Sequence, residues 1–207
     1  MPRVRVHQHV NPLAPYYRQA PQSVDIESIF ADPDRPLLLD IGCARGRFLL
    51  RMAEAEPAWN YLGIEIRQPL VDEANRIASD AGLTNLHYEF CNAMLWLGRL
   101  LADIPDGILQ VVTIQFPDPW FKKKHAKRRM VNAELVSAVV DKLSRGGRVF
   151  VQSDIESLSD EMFELFRRDE RLTETRAAEN TFAVKTEREK SVEARGLPVY
   201  RTVFQKN

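Results

Sequence analysis

The chain has 207 residues, enough for one domain with a full hydrophobic core, and its 44% apolar and 28% charged residues are ordinary for a globular protein. Its 29 basic and 29 acidic residues cancel, which argues against a general polyanion binder, although residues 1–24 contain no acid and residues 121–130 carry only positive charge. Two cysteines outside any CxxC motif argue against a zinc site, and no apolar run approaches the ~18 residues of a membrane span, so we expect a soluble, cytoplasmic protein with no membrane partner.

The order of apolar and amphipathic segments along the chain predicts an α/β domain. Residues 1–24 contain four prolines and no hydrophobic period, so we expect a basic, irregular arm followed by one domain at residues 25–207. Strands are predicted at 37–41, 61–64, 86–91, 109–114 and 149–151, and helices alternate with them at 47–54, 70–81, 94–101, 133–143 and 158–167. This alternation is typical of a parallel sheet. Residues 181–184 and 199–204 are predicted to add an antiparallel pair of edge strands.

A glycine loop, Asp40-Ile41-Gly42-Cys43-Ala44-Arg45-Gly46, ends the first predicted strand and opens a helix. Glycines let the backbone approach a ligand, and the helix start supplies free N–H groups. The dinucleotide motif G-x-G-x-x-G fails at Ala44 and Arg47, which disfavours a nucleotide-dependent oxidoreductase. Glu65 ends the next strand, where an acid takes ribose hydroxyls in nucleotide-binding folds. Together these residues indicate an adenosyl ligand. A purely structural turn and a surface carboxylate are the alternatives, and Cys43 is either a buried filler or a reactive thiol.

The segment Phe116-Pro117-Asp118-Pro119-Trp120 follows the most apolar predicted strand, and six positive charges and a histidine follow it within residues 122–129. In a doubly wound sheet, ligands bind just beyond the carboxyl ends of the strands. A carboxylate, an aromatic ring and a polycation at this edge indicate a site that handles a nucleic-acid base beside its own backbone. The alternatives are an Asp that only forms a turn, a Trp that only anchors the core, and a charge run that is only solvated.

With these segments in place, the chain resembles the bacterial tRNA (guanine-N7-)-methyltransferases of the TrmB type over about residues 37–204. The resemblance is carried by the 116–120 segment, the basic run after it, Ser153-Asp154 after the fifth strand, and Thr186-Glu187-Arg188-Glu189. It implies the class I methyltransferase fold, a Rossmann-like α/β architecture whose mostly parallel, seven-stranded sheet has helices on both faces and an antiparallel last strand. It also implies S-adenosylmethionine as the methyl donor, no metal, tRNA as the substrate and no obligatory protein partner.

The resemblance also assigns roles to individual residues. The methyl donor would be bound by Asp40, Gly42, Gly46, Glu65, Asn92 and Asp118, and Asp118 would be the catalytic residue as well. The substrate would be held by Lys122, Asp154, Thr186 and Glu189, and the RNA would be contacted by Lys124, His125, Lys127, Arg128 and Arg129. The chain departs from the common pattern at Ala44, where glycine is usual, at Asp40, where Glu is frequent, and at Asn92, where Asp is frequent. For Asp154, a role as N-cap of the following helix is an equal alternative.

The implied reaction is methyl transfer to N7 of a guanine, expected in the variable loop of tRNA, with N7-methylguanosine and S-adenosylhomocysteine as products. Guanine N7 carries a free lone pair, so no general base is needed, and a carboxylate such as Asp118 would stabilise the positive charge that appears on the purine. Two rival functions differ in class: a methyltransferase that acts on a small molecule or a protein, and an RNA-binding domain without catalysis. The second leaves Asp40, Glu65 and Asp118 unexplained.

Overall fold

Seven strands form a single sheet among the residues that the computed structural model describes, which are 6–7, 10–177 and 179–207. They are β1 (Leu37–Ile41), β2 (Asn60–Glu65), β3 (Leu86–Phe90), β4 (Leu109–Gln115), β5 (Arg148–Ser153), β6 (Leu172–Arg176) and β7 (Tyr200–Lys206). Their order is β3-β2-β1-β4-β5-β7-β6, with parallel pairs from β3 to β5 and antiparallel pairs on both sides of β7. The mostly parallel, Rossmann-like sheet with an antiparallel last strand is therefore confirmed.

Helices cover both faces of this sheet. They are α1 (Ile26–Ile29), α2 (Arg47–Ala55), α3 (Gln68–Asp80), α4 (Ala93–Leu100), α5 (Ala133–Lys142), α6 (Glu156–Arg167) and α7 (Glu187–Glu193). Successive side chains of a strand point to opposite faces of the sheet, so the buried residues at the start of β1 contribute to the core on both faces. Leu37 and Leu39 pack with the apolar faces of α4, α5 and α6, and Leu38 packs with those of α2 and α3. No helix among the described residues combines the length and the apolar character that a membrane span needs.

The strand predicted at residues 181–184 is wrong. This segment is irregular, and its apolar residues are core contacts: the Phe182 ring lies edge-to-face against Phe48 and Phe150, with centroids 5.8 and 5.2 Å away. The antiparallel partner of β7 is instead β6, and the charged helix α7 lies between the irregular segment and β7. The apolar residues of this segment pack into the core from an irregular backbone, and their spacing resembles the pattern of a strand.

The described part of the N-terminal arm is attached to α4. It contains a 3-10 turn at Pro15–Arg18, and Arg99 Nε on α4 donates to Pro21 O at 2.8 Å. The described residues do not include three basic residues of the arm, Arg3, Arg5 and His9. The division into an arm at 1–24 and a domain at 25–207 stays a prediction.

Candidate active site

A cleft of about 900 Å³ lies beyond the carboxyl ends of β1, β2 and β4, where the strand order of the sheet reverses. Doubly wound sheets bind their ligands at such a switch point. Most of the predicted donor residues line the cleft, namely Asp40, Gly42, Glu65, Asn92 and Asp118, and so do the predicted substrate residues Asp154 and Thr186. Residues from the arm, Val6, Val10 and Pro12, form part of the cleft wall as well.

The glycine loop after β1 has a left-handed backbone at three residues, with φ of +83° at Gly42, +52° at Ala44 and +68° at Gly46. The nearest atoms to a Cβ built on Gly42 belong to Met130, at 3.7 Å, so this glycine leaves room on the cleft side. A Cβ on Gly46 would lie 2.4 Å from the ring of Tyr88, whose hydroxyl donates to Gly46 O at 2.6 Å. Gly42 therefore shapes the ligand side of the loop, and Gly46 its packing against β3.

Ala44 stands where the TrmB-type pattern has glycine, yet the loop keeps the backbone conformation that glycine favours. The Ala44 N–H donates to Glu65 Oε2 at 2.9 Å and so couples the loop to the end of β2. A non-glycine residue in this region costs about 1 kcal/mol, so the loop holds some strain. The neighbouring Cys43 is buried, and burial raises the pKa of its thiol well above the ordinary value. Cys43 therefore fills space as a neutral thiol.

Glu65 is 3% exposed at the end of β2, and its carboxylate is satisfied by several donors. Besides the Ala44 N–H, Oε1 accepts from Arg67 N at 3.0 Å and from Arg67 Nε at 2.8 Å, and Oε2 accepts from Arg67 Nη2 at 3.0 Å. Burial acts to lower the pKa of Arg67, but the hydrogen bond and charge of Glu65 and the charge of Asp118 outweigh it and raise that pKa. A ligand with ribose hydroxyls thus competes with a guanidinium for Glu65.

Asp40 is a second buried carboxylate, at the end of β1. Its Oδ1 accepts from Thr113 Oγ1 at 2.6 Å and from Gln115 Nε2 at 3.5 Å, both on β4. Burial raises the pKa of Asp40 to about 6, against the opposing effect of these two hydrogen bonds. A cationic ligand group in the cleft would favour the ionised form of Asp40, because a nearby positive charge stabilises a carboxylate.

Asn92 connects the cleft to the N-terminal arm. Its side-chain Nδ2 donates to Pro12 O at 2.8 Å and to Tyr17 O at 3.1 Å, so both amide protons hold the arm. Asn92 is buried, and it precedes α4 at the end of the β3 segment. An Asp at this position would have no proton to give to these carbonyls at neutral pH, so the departure from the common pattern matches the docked arm.

The 116–120 segment carries backbone strain on both sides of Asp118. Phe116 has a φ of +52° and Trp120 a φ of +44°, values that bulky residues rarely adopt. Such strained residues cluster at functional sites, where the surrounding structure holds them in place. Asp118 itself is exposed and lines the cleft between the two prolines. The segment therefore presents one carboxylate toward the same space as Glu65 and Asp40.

The residues 122–129, which we call the basic turn, pack against Trp120. The guanidinium of Arg128 lies 5.0 Å from the centre of the Trp120 ring, and His125 meets that ring edge-to-face at 5.7 Å. Desolvation and the charges of Arg128, Lys124 and Lys122 lower the pKa of His125, so this imidazole is neutral near pH 7. With Arg128 over its ring, Trp120 anchors the basic turn beside the cleft.

The cations of the basic turn, which include the predicted substrate residue Lys122, fall into two groups. Lys122, Lys124 and Lys127 are exposed. Arg129, in contrast, donates from Nε to Pro119 O at 3.0 Å and forms an ion pair with Glu161 on α6. The lysines are available to a polyanion, whereas Arg128 and Arg129 also hold the 116–120 segment in its conformation.

Three of the four predicted substrate residues, Asp154, Thr186 and Glu189, lie around the start of α7, whereas Lys122 lies in the basic turn. Asp154 forms an ion pair with Arg188, and Thr186 is the N-cap of α7, with its Oγ1 accepting from Glu189 N at 3.1 Å. Asp154 is not the N-cap of α6. That position is Ile155, whose N–H donates to Ser153 Oγ at 3.1 Å. Glu189 is fully buried behind the residues that line the cleft.

Comparison with known proteins shows the family to which this chain belongs. A family model described as a putative methyltransferase matches residues 34–202. A tRNA (guanine-N(7)-)-methyltransferase of Synechococcus elongatus is 56% identical over 99% of this chain and 97% of that relative. Proteins of the same name from Trichormus variabilis and a Synechocystis species are 51% and 47% identical, over 100% of this chain and 98% and 99% of those relatives. The chain belongs to the TrmB-type family of tRNA (guanine-N7-)-methyltransferases.

Solved structures of low sequence identity support the fold of this TrmB-type protein. An antibiotic-resistance methyltransferase, Kmr, aligns with a TM-score of 0.59 at 16% identity, over 88% of this chain and 91% of that chain. An rRNA methylase from Streptococcus thermophilus aligns with a TM-score of 0.52 at 12% identity, over 87% of this chain and 91% of that chain. These likenesses show the class I methyltransferase architecture alone.

The cleft fits the methyl donor that membership of the TrmB-type family implies. Two buried carboxylates, Asp40 and Glu65, offer acceptors for an amino group and for ribose hydroxyls, and the open side of Gly42 leaves room for the ligand. The sequence prediction missed Arg67 and Gln115, which bind these two carboxylates. The available signal for both was position: Arg67 lies just beyond the strand that Glu65 ends, and Gln115 ends the strand that Asp118 follows.

Proposed function

We propose that this protein transfers a methyl group from S-adenosylmethionine to N7 of a guanine in tRNA, giving N7-methylguanosine and S-adenosylhomocysteine. The observation that carries the proposal is the position of Asp118. This carboxylate is exposed in the strained 116–120 segment, lines the cleft with Asp40 and Glu65, and lies next to the basic turn. One site thus combines acceptors for an adenosyl ligand, a carboxylate for a purine and cations for an RNA backbone.

The donor is held by residues on two strands, by the glycine loop and by Asn92 before α4. When bound, S-adenosylmethionine supplies a methyl group on a sulfonium, which is already a strong electrophile. Glu65 accepts hydrogen bonds from the ribose hydroxyls, and the ionised Asp40 attracts the cationic amino group. Gly42 leaves room for the ligand, Gly46 lets the loop pack against Tyr88, and Asn92 holds the arm that completes the cleft wall.

Asp118 is the catalytic residue of this proposal. The lone pair of guanine N7 makes a general base unnecessary, so the protein has to hold the guanine in line for attack. Asp118 accepts hydrogen bonds from the guanine N1–H and N2–H groups and stabilises the positive charge that develops on the ring. Asp154 and Thr186, which border the same cleft, hold the nucleotide from the side of α7.

The basic turn binds the RNA backbone. The exposed Lys122, Lys124 and Lys127 pair with phosphates, which makes binding dependent on salt. His125, Arg128 and Arg129 complete the RNA contact and also fix the shape of the turn. We place the target guanine in the variable loop of tRNA and the protein in the cytoplasm, without a metal or an obligatory protein partner.

The proposal is tested by transfer of labelled methyl from S-adenosylmethionine to unmodified bulk tRNA, followed by strand scission at N7-methylguanine. We expect label in the variable loop with the parent protein and loss of label with Asp118→Ala. Asp106→Ala is the matched control, because Asp106 is exposed and lies before the amino end of β4, whereas the cleft lies beyond its carboxyl end. Donor binding with no label on any RNA would contradict the proposal and point to a small-molecule or protein acceptor.

A further inference from the structure

A chain of polar side chains crosses the sheet from the donor side of the cleft to α7. Gln115 Nε2 on β4 is 3.5 Å from Asp40 Oδ1 on β1. Gln152 Nε2 on β5 donates to Gln115 Oε1 at 2.9 Å and to Glu189 Oε2 on α7 at 3.1 Å. Asp40, Gln152 and Glu189 are all buried, with Gln152 and Glu189 at 0% exposure. Buried polar groups are costly unless they are paired, so these contacts fix one arrangement of the four residues.

Gln152 is the centre of this polar chain, and its orientation is determined by its neighbours. Both protons of Nε2 are used by Gln115 and Glu189, and Oε1 accepts from Arg201 Nε at 3.2 Å. An amide turned the other way would place Nε2 against a guanidinium and Oε1 against a carboxylate. The chemistry of the three partners therefore permits only the observed orientation of Gln152.

Glu189 is fixed to a comparable degree. Its Oε2 also accepts from Asn180 Nδ2 at 2.8 Å, and its Oε1 accepts from Arg201 Nη2 at 3.1 Å. Glu189 lies in the first turn of α7, directly after the residues that face the cleft. In that turn Thr186 caps the helix, and Arg188 pairs with Asp154. The place of Glu189 thus sets the place of the cleft-lining end of α7.

We propose that Gln152 and Glu189 act as a pair of positioning residues in methyl transfer. Their mutual hydrogen bond holds the substrate side of the cleft, at the start of α7, in register with the donor side at Asp40, and neither residue contacts the guanine. This inference rests on the proposed function, and it differs from the substrate-binding role that the family resemblance implies for Glu189.

The test is an exchange of the two side chains. Gln152→Glu sets two carboxylates against each other, and Glu189→Gln removes the charge that Arg201 meets. The double variant Gln152→Glu with Glu189→Gln restores one carboxylate and one amide, and Arg201 still meets a carboxylate because it already contacts both positions. It does not restore the bond to Gln115 Oε1, because a carboxylate at position 152 has no proton to donate. We expect each single variant to lower kcat with tRNA by about tenfold, since a small misplacement of the acceptor is costly, and the double variant to be about threefold more active than either single variant.

Two readouts separate positioning from general damage. Hydrogen exchange of the backbone amides of α7, measured without donor or tRNA, is expected to speed up in both single variants and to slow again, toward the parent rate, in the double variant. Donor affinity, measured by calorimetry, is expected to change by less than about threefold in all of them, because neither residue lines the cleft. Thr202→Val is the matched control: it removes a part-buried hydrogen bond to Glu174 in β6, and its side chain points to the face of β7 opposite that of Arg201.

The variants distinguish a positioning role of Glu189 from direct contact with the substrate. Loss of activity in Glu189→Gln that persists in the double variant, with parent-like exchange of α7, means that Glu189 contacts the substrate and overturns the inference. Should Gln152→Glu fail to fold, Gln152→Met tests the same bond, and unchanged kcat and exchange in that variant overturn the inference as well. A parent protein that labels no tRNA contradicts the proposed function instead, while the exchange measurements still test the pair.

Discussion

The guanidinium of Arg67 covers the carboxylate of Glu65, with Nε 2.8 Å from Oε1 and Nη2 3.0 Å from Oε2. Glu65 is the proposed ligand of the donor ribose, so Arg67 occupies the acceptors that the ribose hydroxyls need. The negative charge of Asp118 also helps to raise the pKa of Arg67. We infer that donor binding displaces Arg67 from Glu65, and that this ion pair stabilises the donor-free protein.

Replacement of Arg67 tests this competition. In Arg67→Met the buried Glu65 loses its counterion, so we predict that the donor-free protein is less stable by about 2 kcal/mol. S-adenosylhomocysteine should raise the Tm of the variant by more than it raises that of the parent, because no guanidinium has to leave. Arg168→Met, which removes an exposed ion pair on α6, is the control. An equal or smaller ligand-induced shift in Arg67→Met would show that Arg67 does not compete with the donor.

The raised pKa of Asp40 predicts a pH dependence of donor affinity. Burial raises this pKa to about 6, so Asp40 is ionised at neutral pH and protonated in mild acid. Since the ionised form attracts the donor amino group, affinity should fall by up to about tenfold for each pH unit below 6. Calorimetric titrations across this range check the prediction, and Asp40→Asn should remove the dependence. An affinity for the parent that is constant through this range would contradict the role of Asp40.

The raised pKa of Asp40 also affects the stability of the donor-free protein, which should fall as the pH rises, whereas donor affinity should rise. The folded state keeps a proton on Asp40 at pH values where the unfolded chain has already lost it. Stability from this group is therefore fully present below about pH 4 and is lost as the pH rises through about 6. The difference in unfolding free energy between the parent and Asp40→Asn, measured against pH in urea, should follow this trend, and a difference that does not vary with pH would refute it.

The basic turn predicts a separation between RNA binding and donor binding. Lys124 and Lys127 are exposed, so Lys124→Gln with Lys127→Gln should weaken tRNA binding and reduce the salt slope by about 2, one for each lost phosphate contact. Donor affinity should not change. Filter binding at several salt concentrations provides the measurement, and an unchanged slope would mean that these lysines do not meet phosphates.

Arg129→Gln should behave differently from the lysine variants. It removes the bond to Pro119 O and the ion pair with Glu161, so it should disturb the 116–120 segment and lower kcat more than it lowers tRNA affinity. A loss confined to tRNA affinity would make Arg129 a phosphate contact instead.

The glycine loop predicts opposite effects for two small substitutions. Gly46→Ala would place a Cβ 2.4 Å from Tyr88 at a φ of +68°, so it should destabilise the protein by about 2 kcal/mol or more. Ala44→Gly relieves a left-handed φ, so it should be neutral or stabilise by up to about 1 kcal/mol. Chemical denaturation of both variants is the test, and destabilisation by Ala44→Gly would show that the loop is not strained there.

The central strands were predictable because burial on both faces leaves a strong signal. Runs such as Leu37-Leu38-Leu39 are apolar without interruption, and helices of clear period separate them. The C-terminal region carries no such signal. β6 reads Leu-Thr-Glu-Thr-Arg at an edge of the sheet, and the apolar segment around Phe182 fills a gap between α2 and β5. Local sequence there reflects tertiary contacts, which periodicity cannot show.

The candidate site was predictable where function depends on position along a strand. Asp40, Glu65 and Asp118 each end or follow a strand, and the parallel sheet brings them to one cleft. The bonds from Arg67 to Glu65 and from Gln152 to Glu189 were not predictable. Arg67 looks like an ordinary surface residue in the sequence, and Gln152 and Glu189 are far apart along the chain. Only the fold shows that Glu189 is buried while its neighbours face the cleft.

The most direct test of the account uses tRNA in which guanosine is replaced by 7-deazaguanosine, whose ring carries a carbon in place of N7. Single-turnover transfer of labelled methyl would be compared with ordinary tRNA, alongside the affinity of each RNA. We predict no transfer to the 7-deaza tRNA, with an affinity close to that of ordinary tRNA and full activity on the latter. Transfer of label to the 7-deaza tRNA at a comparable rate would contradict N7 as the acceptor and the role proposed for Asp118.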